Sequence, residues 1–309
     1  MSKLQQAFEA GKFGVTAEMA PPKGYDFAEE MEVAKLIKDL VHGVNVTDMQ
    51  SACLKASSLG FCIALKNNGV EPILQMTGRD RSRMAIMGEF LSAAYFGIDT
   101  MLALTGDHTY VGDCKASKPV FDLDSVGILK MLSKMEATGC DCGGNPLSSV
   151  PPKFYKGAAV TPVYEPQWLQ INKLKKKVDA GAKYVQTQGL FTVEALETFM
   201  NEVVKENIKV HVMAGIIPLK AAGMAKYMNA NVPGIDVPQD MIDRLTVAAE
   251  EGKATGVKGL PGKLGIEMAA DLIRDIKQRG ICDGIHLMTI GGEKNIPTIL
   301  EKAGININE

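Results

Sequence analysis

The stretch TMLALTGDH, residues 100–108, shows the pattern that decides the fold: a short apolar segment that ends in a glycine and a carboxylate. A segment with helical spacing follows, and the same order recurs along the chain. Alternating strands and helices favour a parallel sheet, because parallel neighbours need a crossover connection. The other strand endings of this kind are GVTAEMAPP (14–22), GVNVTDMQ (43–50), EPILQMTGRD (71–80), GAAVTPVYEP (157–166), KYVQTQG (183–189), KVHVMAG (209–215) and GIHLMTIGG (284–292).

These eight units predict an α/β fold, the closed (β/α)8 or TIM barrel, whose sites lie at the carboxyl ends of the strands. No linker divides the 309 residues, so residues 1–309 are expected to form one domain. Long loops are expected after strand 4, at 108–123 and 138–155, and an extra segment with its own short helix after strand 7, at 235–253. Strands are predicted at 13–19, 43–48, 72–77, 100–107, 157–162, 183–188, 209–214 and 284–290. Helices are predicted at 26–40, 54–67, 124–136, 192–205, 219–229, 262–279 and 293–303, with two more that end near Tyr95 and Ala180.

Composition and charge narrow the class of protein. A net charge of −2 gives no reason to expect nucleic acid or an anionic membrane as a partner. The first residues lack the apolar core of a signal peptide and no apolar run would span a bilayer, so a cytoplasmic protein is expected. The six cysteines include no C-x-x-C pair, which favours free thiols over a metal or iron–sulfur site. The segment CDCGGNP (140–146) leaves a redox or docking loop as an alternative.

Two carboxylates at predicted strand ends are the leading candidates for catalysis. Glu18 ends an apolar strand just before two prolines, where partial desolvation suits a general acid. The alternative is a glutamate that caps the next helix or pairs with an arginine. Asp107 follows a glycine at the mouth, where it suits a cofactor ring, an amino-pyrimidine edge or a metal, or is a solvated turn residue. Further side chains expected at the mouth are Asp48, Gln75, Thr77, Thr161 and Gln188.

An amide and a lysine-rich helix complete the pattern. Gln188 offers a donor and an acceptor, which suits a heterocycle, although a buried amide bonded to a loop fits equally. Gln170, Lys173 and Lys177 fall on one helical face that suits an anionic cofactor, whereas such a run is also typical of a solvated face. Neither G-x-G-x-x-G after a strand nor G-x-x-x-x-G-K-[ST] occurs, so neither common nucleotide-binding loop is present.

Several motifs in collinear order resemble those of the methylenetetrahydrofolate reductase family. TAEMAPP resembles the family's F-E-F-F-P-P, LTGD its L-R-G-D, and LKKKVDAGA its L-K-x-K-V-x-A-G-A. VQTQ resembles I-T-Q, AGIIP resembles P-G-I-x-P, GIEMA resembles G-I-x-x-A, and GIHLMTI corresponds to H-F-Y-T-L. Each motif alone is weakly specific, and their shared order over most of the chain carries the resemblance.

The resemblance implies a barrel flavoprotein that reduces 5,10-methylenetetrahydrofolate to 5-methyltetrahydrofolate. Glu18 takes the position of the family's general acid, which protonates the bridging nitrogen so that the opened folate accepts hydride from flavin N5. Asp107 takes the position of the aspartate beside flavin and pterin. The residues expected at the cofactor are Thr47, Gln75, Asp107, Phe121, Gln170, Lys173 and Lys177, with Lys177 on the phosphate, and those at the substrate are Glu18, Asp107, Gln188 and Met224.

Departures from the family pattern bear on the cofactor and the electron donor. Thr105 replaces the arginine of L-R-G-D, and Gln75 replaces a flavin-contacting histidine. Met224 and Met228 replace a glutamine and a phenylalanine, and Gly291-Gly292 stands where the family has Asn-Arg. These changes favour FMN over FAD and argue against direct use of NADH. They resemble the divergent reductases of acetogenic anaerobes, which implies an iron–sulfur electron-transfer subunit as partner.

Two other functional classes fit the same residues. A flavin-free pterin-binding barrel methyltransferase would use the same carboxylates and amides to hold a pterin. A non-catalytic subunit would keep the fold without the chemistry. We expect the chain to bind no metal. We also expect it to form oligomers.

Overall fold

The computed structural model describes residues 1–308, and eight parallel strands close into a barrel in chain order. The strands are β1 Gly14–Met19, β2 Gly43–Val46, β3 Pro72–Thr77, β4 Thr100–Leu104, β5 Tyr155–Val160, β6 Tyr184–Leu190, β7 His211–Ile216 and β8 Gly284–Leu287. The barrel closes where β1 pairs with β8, Thr16 standing opposite His286. The predicted (β/α)8 barrel is therefore confirmed.

Helices surround the barrel and bury one apolar face each against it. Their bounds are α1 Lys3–Glu9, α2 Ala28–Ile37, α3 Ser58–Asn67, α4 Arg83–Tyr95, α5 Ser125–Thr138, α6 Gln167–Asp179, α7 Val193–Lys205, α8 Ala222–Asn231, α9 Gln239–Thr255, α10 Leu260–Arg279 and α11 Ile296–Ala303. Three short 3₁₀ helices lie at Gln50–Ala52, Thr109–Val111 and Glu293–Asn295. As in α5, where Ile128, Leu129 and Leu132 are buried, the apolar positions recur at helical spacing.

Several predicted bounds were wrong at the strand ends. Strands β2, β4 and β8 stop at Val46, Leu104 and Leu287, earlier than predicted. After β2 the turn is made by left-handed residues, including Met49 at φ 48°. Strands β5 and β7 are shifted along the chain by two residues from their predicted positions, β5 earlier and β7 later. Strand β6 extends to Leu190 rather than ending at residue 188.

Helix α1, which the strand–helix pattern does not predict, packs at the amino-terminal end of the barrel. Its Leu4 and Phe8 form a buried cluster with side chains inside the barrel, among them Tyr184 and Met213. The ring of Phe8 also stacks on His211 at 4.3 Å between centroids. A Cβ at Gly14 would lie 2.6 Å from that ring, so β1 begins with the residue that leaves room for it.

The extra segment after β7 is larger than predicted. Its helix α9 runs for 17 residues, which is longer than the short helix predicted for this segment. Ile242 and Leu245 on α9 join a second apolar cluster with Met228 of α8, so the segment is held by its own small core. A Cβ at Gly265 of α10 would lie 1.7 Å from the carbonyl oxygen of Leu219, so helix and loop touch backbone to backbone there.

Candidate active site at the carboxyl end of the barrel

Glu18 lies at the end of β1 with its side chain 16% exposed. Its Oε2 accepts a hydrogen bond from Gln75 Nε2 at 3.2 Å and lies 3.6 Å from Nε2 of His286. None of the residues described donates to its Oε1. The structure thus brings two expected site residues, Glu18 and Gln75, into direct contact and leaves one carboxyl oxygen free.

A chain of polar side chains inside the barrel supports this carboxylate. Gln186 Nε2 donates to Thr16 Oγ1 at 3.1 Å and to Asn45 Oδ1 at 3.1 Å, and Asn45 Nδ2 returns a bond to Gln186 Oε1 at 2.8 Å. The same Thr16 Oγ1 lies 2.9 Å from Nδ1 of His286, within hydrogen-bond distance. The other ring nitrogen of His286, Nε2, faces Glu18.

Four polar residues inside the barrel were not predicted as site residues, because each lies within a strand rather than at its end. They are Thr16, Asn45, Gln186 and His286. All four are at most 2% exposed. One signal for them was present: polar side chains interrupt otherwise apolar strands, as in GIHL and GVNV. Buried polar groups need partners, so four such residues in one barrel indicate that they meet.

Asp48, expected at the mouth, has a structural role instead. Its buried carboxylate accepts from the backbone N–H and the hydroxyl of Thr77, both at 2.8 Å. Arg81 donates to the same carboxylate through both terminal nitrogens, at 2.7 and 3.1 Å, and also bonds Glu89. Burial lowers the pKa of Arg81, but these two carboxylates outweigh it and the net pKa is raised. This group ties the end of β2 to β3 and α4.

The loop after β4 is held by a buried arginine. Arg79 pairs with Asp80 at 2.7 Å, and its guanidinium also donates to the backbone oxygens of Met49 at 3.0 Å and Asp107 at 3.2 Å. It is thus the main-chain oxygen of Asp107 that is tied down, and the exposed side chain extends from a fixed backbone. Phe121, at φ 44°, stacks on His108 at 6.1 Å between centroids.

The lysine-bearing face of α6 points partly into the protein. Lys177 is half-buried and donates from Nζ to the backbone oxygen of Ala159 at 2.5 Å, whereas Lys173 is exposed. Burial of the ammonium group, reinforced by the neighbouring Lys173, lowers the pKa of Lys177 to about 8. The interpretation as a purely solvated face is therefore wrong for Lys177.

Two expected cofactor contacts have polar atoms that no protein group satisfies. The hydroxyl of Thr47 and the Nε2 of Gln170 are buried and have no hydrogen-bond partner. An unpaired buried polar atom costs about 1–3 kcal/mol, so such atoms commonly mark a place where a ligand or water supplies the partner. These two atoms fit a cofactor with polar edges.

The remaining expected residues lie apart from Glu18. Gln188 is half-buried, and its Oε1 accepts from the backbone N–H of Gly189 within β6 at 3.1 Å. Met224 packs against the apolar cluster of α8 and α9. The methyl group of Thr161 faces Gly234, where a Cβ would lie 1.9 Å away. Within residues 1–308 no hydrogen bond joins Gln188, Met224 or Lys177 to Glu18.

Glu18 also lines a cavity of about 880 Å³ at the mouth. Its walls come from the ends of β1 and β8, the start of α2 and the loop after β2, and this volume suits a small-molecule ligand. Lining residues beside Glu18 include Met19, Glu30, Gln50, Lys55, Gly291 and Lys294.

Residues 1–308 contain neither a metal-binding cluster nor a membrane-spanning helix. No cluster of three histidine, cysteine or acidic side chains is arranged to hold a metal ion. Helices long and apolar enough to cross a bilayer are likewise absent from this part of the chain.

Known proteins similar to this chain point to one family. A probable methylenetetrahydrofolate reductase (NADPH) of Caenorhabditis elegans is 26% identical over 256 residues, 82% of this chain and 34% of the relative. The chain thus spans about a third of that relative. The 5,10-methylenetetrahydrofolate reductase of Buchnera aphidicola (subsp. Schizaphis graminum) is 22% identical over 302 residues, covering 95% of this chain and 93% of its own.

A solved structure supports the fold independently. A Clostridium thermocellum protein that binds two copies of 5-methyl-5,6,7,8-tetrahydrofolic acid superposes with a TM-score of 0.60 at 16% identity, over 97% of each chain. The family model for methylenetetrahydrofolate reductase matches residues 3–304. Since that match takes in nearly the whole sequence, the chain belongs to the methylenetetrahydrofolate reductase family.

Proposed function

We propose that this chain reduces 5,10-methylenetetrahydrofolate to 5-methyltetrahydrofolate with a bound flavin, and that Glu18 is the general acid. The observation that carries the proposal is the setting of Glu18 beside the mouth cavity, with Oε2 held by Gln75 and Oε1 free. Membership of the family and the methylfolate bound by the Clostridium thermocellum protein support the same substrate class.

Glu18 would deliver a proton from Oε1 to the bridging nitrogen of the folate, which opens the five-membered ring. Gln75 holds Oε2 by a hydrogen bond and His286 stands 3.6 Å from the same oxygen, so Oε1 would keep its direction. Asp107, on a backbone anchored by Arg79, would place a negative charge near the pterin. Gln188 would bind the folate once its amide leaves Gly189.

Several residues would hold the flavin. The unpaired atoms of Thr47 and Gln170 would bond its polar edges, Lys177 its phosphate, and Lys173 and Phe121 would flank it. A bound flavin supplies the electron pair that reduces the folate. Thr105 and Gln75 in place of basic side chains favour FMN over FAD, and an iron–sulfur subunit is the proposed electron donor.

The first test is an absorption spectrum of the purified chain, followed by identification of the released cofactor by mass. A flavin spectrum is expected. A colourless protein that neither FMN nor FAD reconstitutes would contradict the proposal and favour the pterin methyltransferase.

The second test is Glu18→Gln, assayed for methylenetetrahydrofolate reduction with a chemical electron donor. A loss of about 10²-fold or more is expected, the scale of general-acid catalysis. The matched control is Glu32→Gln, the same change on a side chain 76% exposed on α2. Equal activities of the two variants would contradict the role of Glu18 and favour a non-catalytic subunit.

A further inference from the structure

A second pocket, of about 450 Å³, lies beside the mouth cavity where the loops after β7 and β8 meet the first turn of α10. Gly291, Gly292 and Asn295 line both spaces, so the pocket is a side chamber of the same mouth. Its other lining residues are Pro218, Leu219, Lys220, Gly259, Gly262, Lys263, Ile266, Thr289 and Ile299.

The first turn of α10 presents the positive end of a 20-residue helix to this pocket. Gly259, at φ +77°, precedes the helix and no side chain caps it. Open space surrounds the Cα atoms of Gly259 and Gly262, because a Cβ at either would meet nothing within 4 Å. The backbone contact between Gly265 and Leu219 fixes this helix end relative to β7.

The charges that line the pocket are all positive. Lys220 and Lys263 are its ionisable residues, and no acidic side chain lines it. Lys220 donates from Nζ to the backbone oxygen of Ile290 at 2.5 Å and so lies across the loop after β8. The adjacent Glu293 accepts from the backbone N–H of Gly291 at 2.8 Å and lines the neighbouring cavity instead.

A buried hydroxyl is the second, independent sign of a ligand. Thr289 lines the pocket, is 2% exposed, and its Oγ1 has no hydrogen-bond partner. A hydroxyl in that position donates to an oxygen that the protein does not itself supply. The loops after strands 7 and 8 together with a helix amino terminus are also where TIM barrels commonly bind phosphate.

We propose that this pocket binds an oxyanion, through the α10 amino terminus, Lys220, Lys263 and Thr289. Two ligands carry that chemistry: the phosphate of a nucleotide, and the glutamyl carboxylates at the tail of a folate. The carboxylate source rests on the proposed function, whereas anion binding itself does not. The pocket is distinct from the face of α6 that carries Lys177, because no residue of α6 lines the pocket.

The test uses the full chain with Lys177→Met in every sample, so that phosphate cannot report on α6. Inorganic phosphate is titrated by calorimetry into three proteins. These are the Lys177→Met chain, the same chain with Lys220→Gln and Lys263→Gln, and the same chain with Thr289→Val. The double variant is expected to weaken phosphate binding by at least about tenfold, since two charged donors are lost. The matched control is Lys130→Gln/Lys226→Gln, which removes two exposed lysines elsewhere.

Equal phosphate affinity in the lysine variant and the control, or no phosphate binding up to high millimolar concentration, would overturn the proposal. Circular dichroism of each variant shows whether a loss reflects unfolding. The identity of the anion is then tested by comparing the affinities of the chain for monoglutamyl and triglutamyl 5-methyltetrahydrofolate. A preference for the triglutamate that the lysine variant loses assigns the pocket to the folate tail, and an unchanged preference assigns it to a phosphate. Neither readout requires reductase activity.

Discussion

Replacing Asp48 with asparagine is expected to destabilise the fold strongly although the shape of the side chain hardly changes. The carboxylate is fully buried and receives two hydrogen bonds from the guanidinium of Arg81, whose side chain is 9% exposed. Asparagine keeps one acceptor oxygen but presents an NH2 group in place of the other, so one hydrogen bond to a charged group, worth about 1.5–3 kcal/mol, is lost. The negative charge of the buried ion pair is lost with it, and removal of one partner of such a pair costs about 3–5 kcal/mol in total.

The assay is urea unfolding of Asp48→Asn and of the parent chain, followed by circular dichroism and tryptophan fluorescence. The control is Asp271→Asn, which breaks the pair with Arg274 at 2.8 Å, where the carboxylate side chain is 67% exposed. That variant should lose no more than about 1 kcal/mol. A change below about 1 kcal/mol for Asp48→Asn, with an unchanged denaturant slope, would refute the view that this pair holds β2 to α4.

Two further variants test the interior network and α6. Thr16→Val removes the hydroxyl that lies 2.9 Å from Nδ1 of His286, so the ¹⁵N chemical shift of that nitrogen should change and folate reduction should fall by up to roughly tenfold, the scale of one lost hydrogen bond. An unchanged Nδ1 shift with unchanged activity would contradict a role for this contact. Lys177→Met should weaken FMN binding relative to riboflavin binding, because the phosphate loses its positive partner. In the parent chain the preference for FMN over riboflavin should fall as the pH rises past about 8. The reason is that burial lowers the pKa of Lys177 to about 8, so its ammonium group is charged only below that pH. A preference that stays flat from pH 6.5 to 9.5 (about 1.5 units either side of that pKa) would exclude Lys177 from the phosphate contact.

Much of the fold follows from the sequence because eight strand endings and their helices are local patterns. The strand ends themselves were less predictable: β2 stops early where Met49 turns left-handed, and the main-chain oxygen of Met49 there accepts from Arg79, 30 residues away. Helix α1 was missed because its role, closing the barrel bottom, depends on Tyr184 and Met213 from far along the chain.

The candidate site was predictable to the extent that its residues end strands. Glu18 and Gln75 do, and the structure brings them into contact. Asp48 ends a strand too, but the pairing with Arg81 that neutralises it follows from tertiary packing. The contact between His286 and Thr16 could not be predicted in this way, because both residues lie in the middle of a strand. They are 270 residues apart in sequence, and only closure of the barrel makes them neighbours.

That separation has a consequence for biosynthesis. The edge of β1 stays unpaired until β8 emerges, because Gly14 pairs with Gly284. Any sheet that forms before then would be open, with two bare edges, the form most exposed to wrong pairing. Nε2 of His286 reaches Glu18 only when this last seam closes. A partly made or unzipped barrel would consequently lack the His286 support of Glu18, so catalytic competence and completed folding would be reached together.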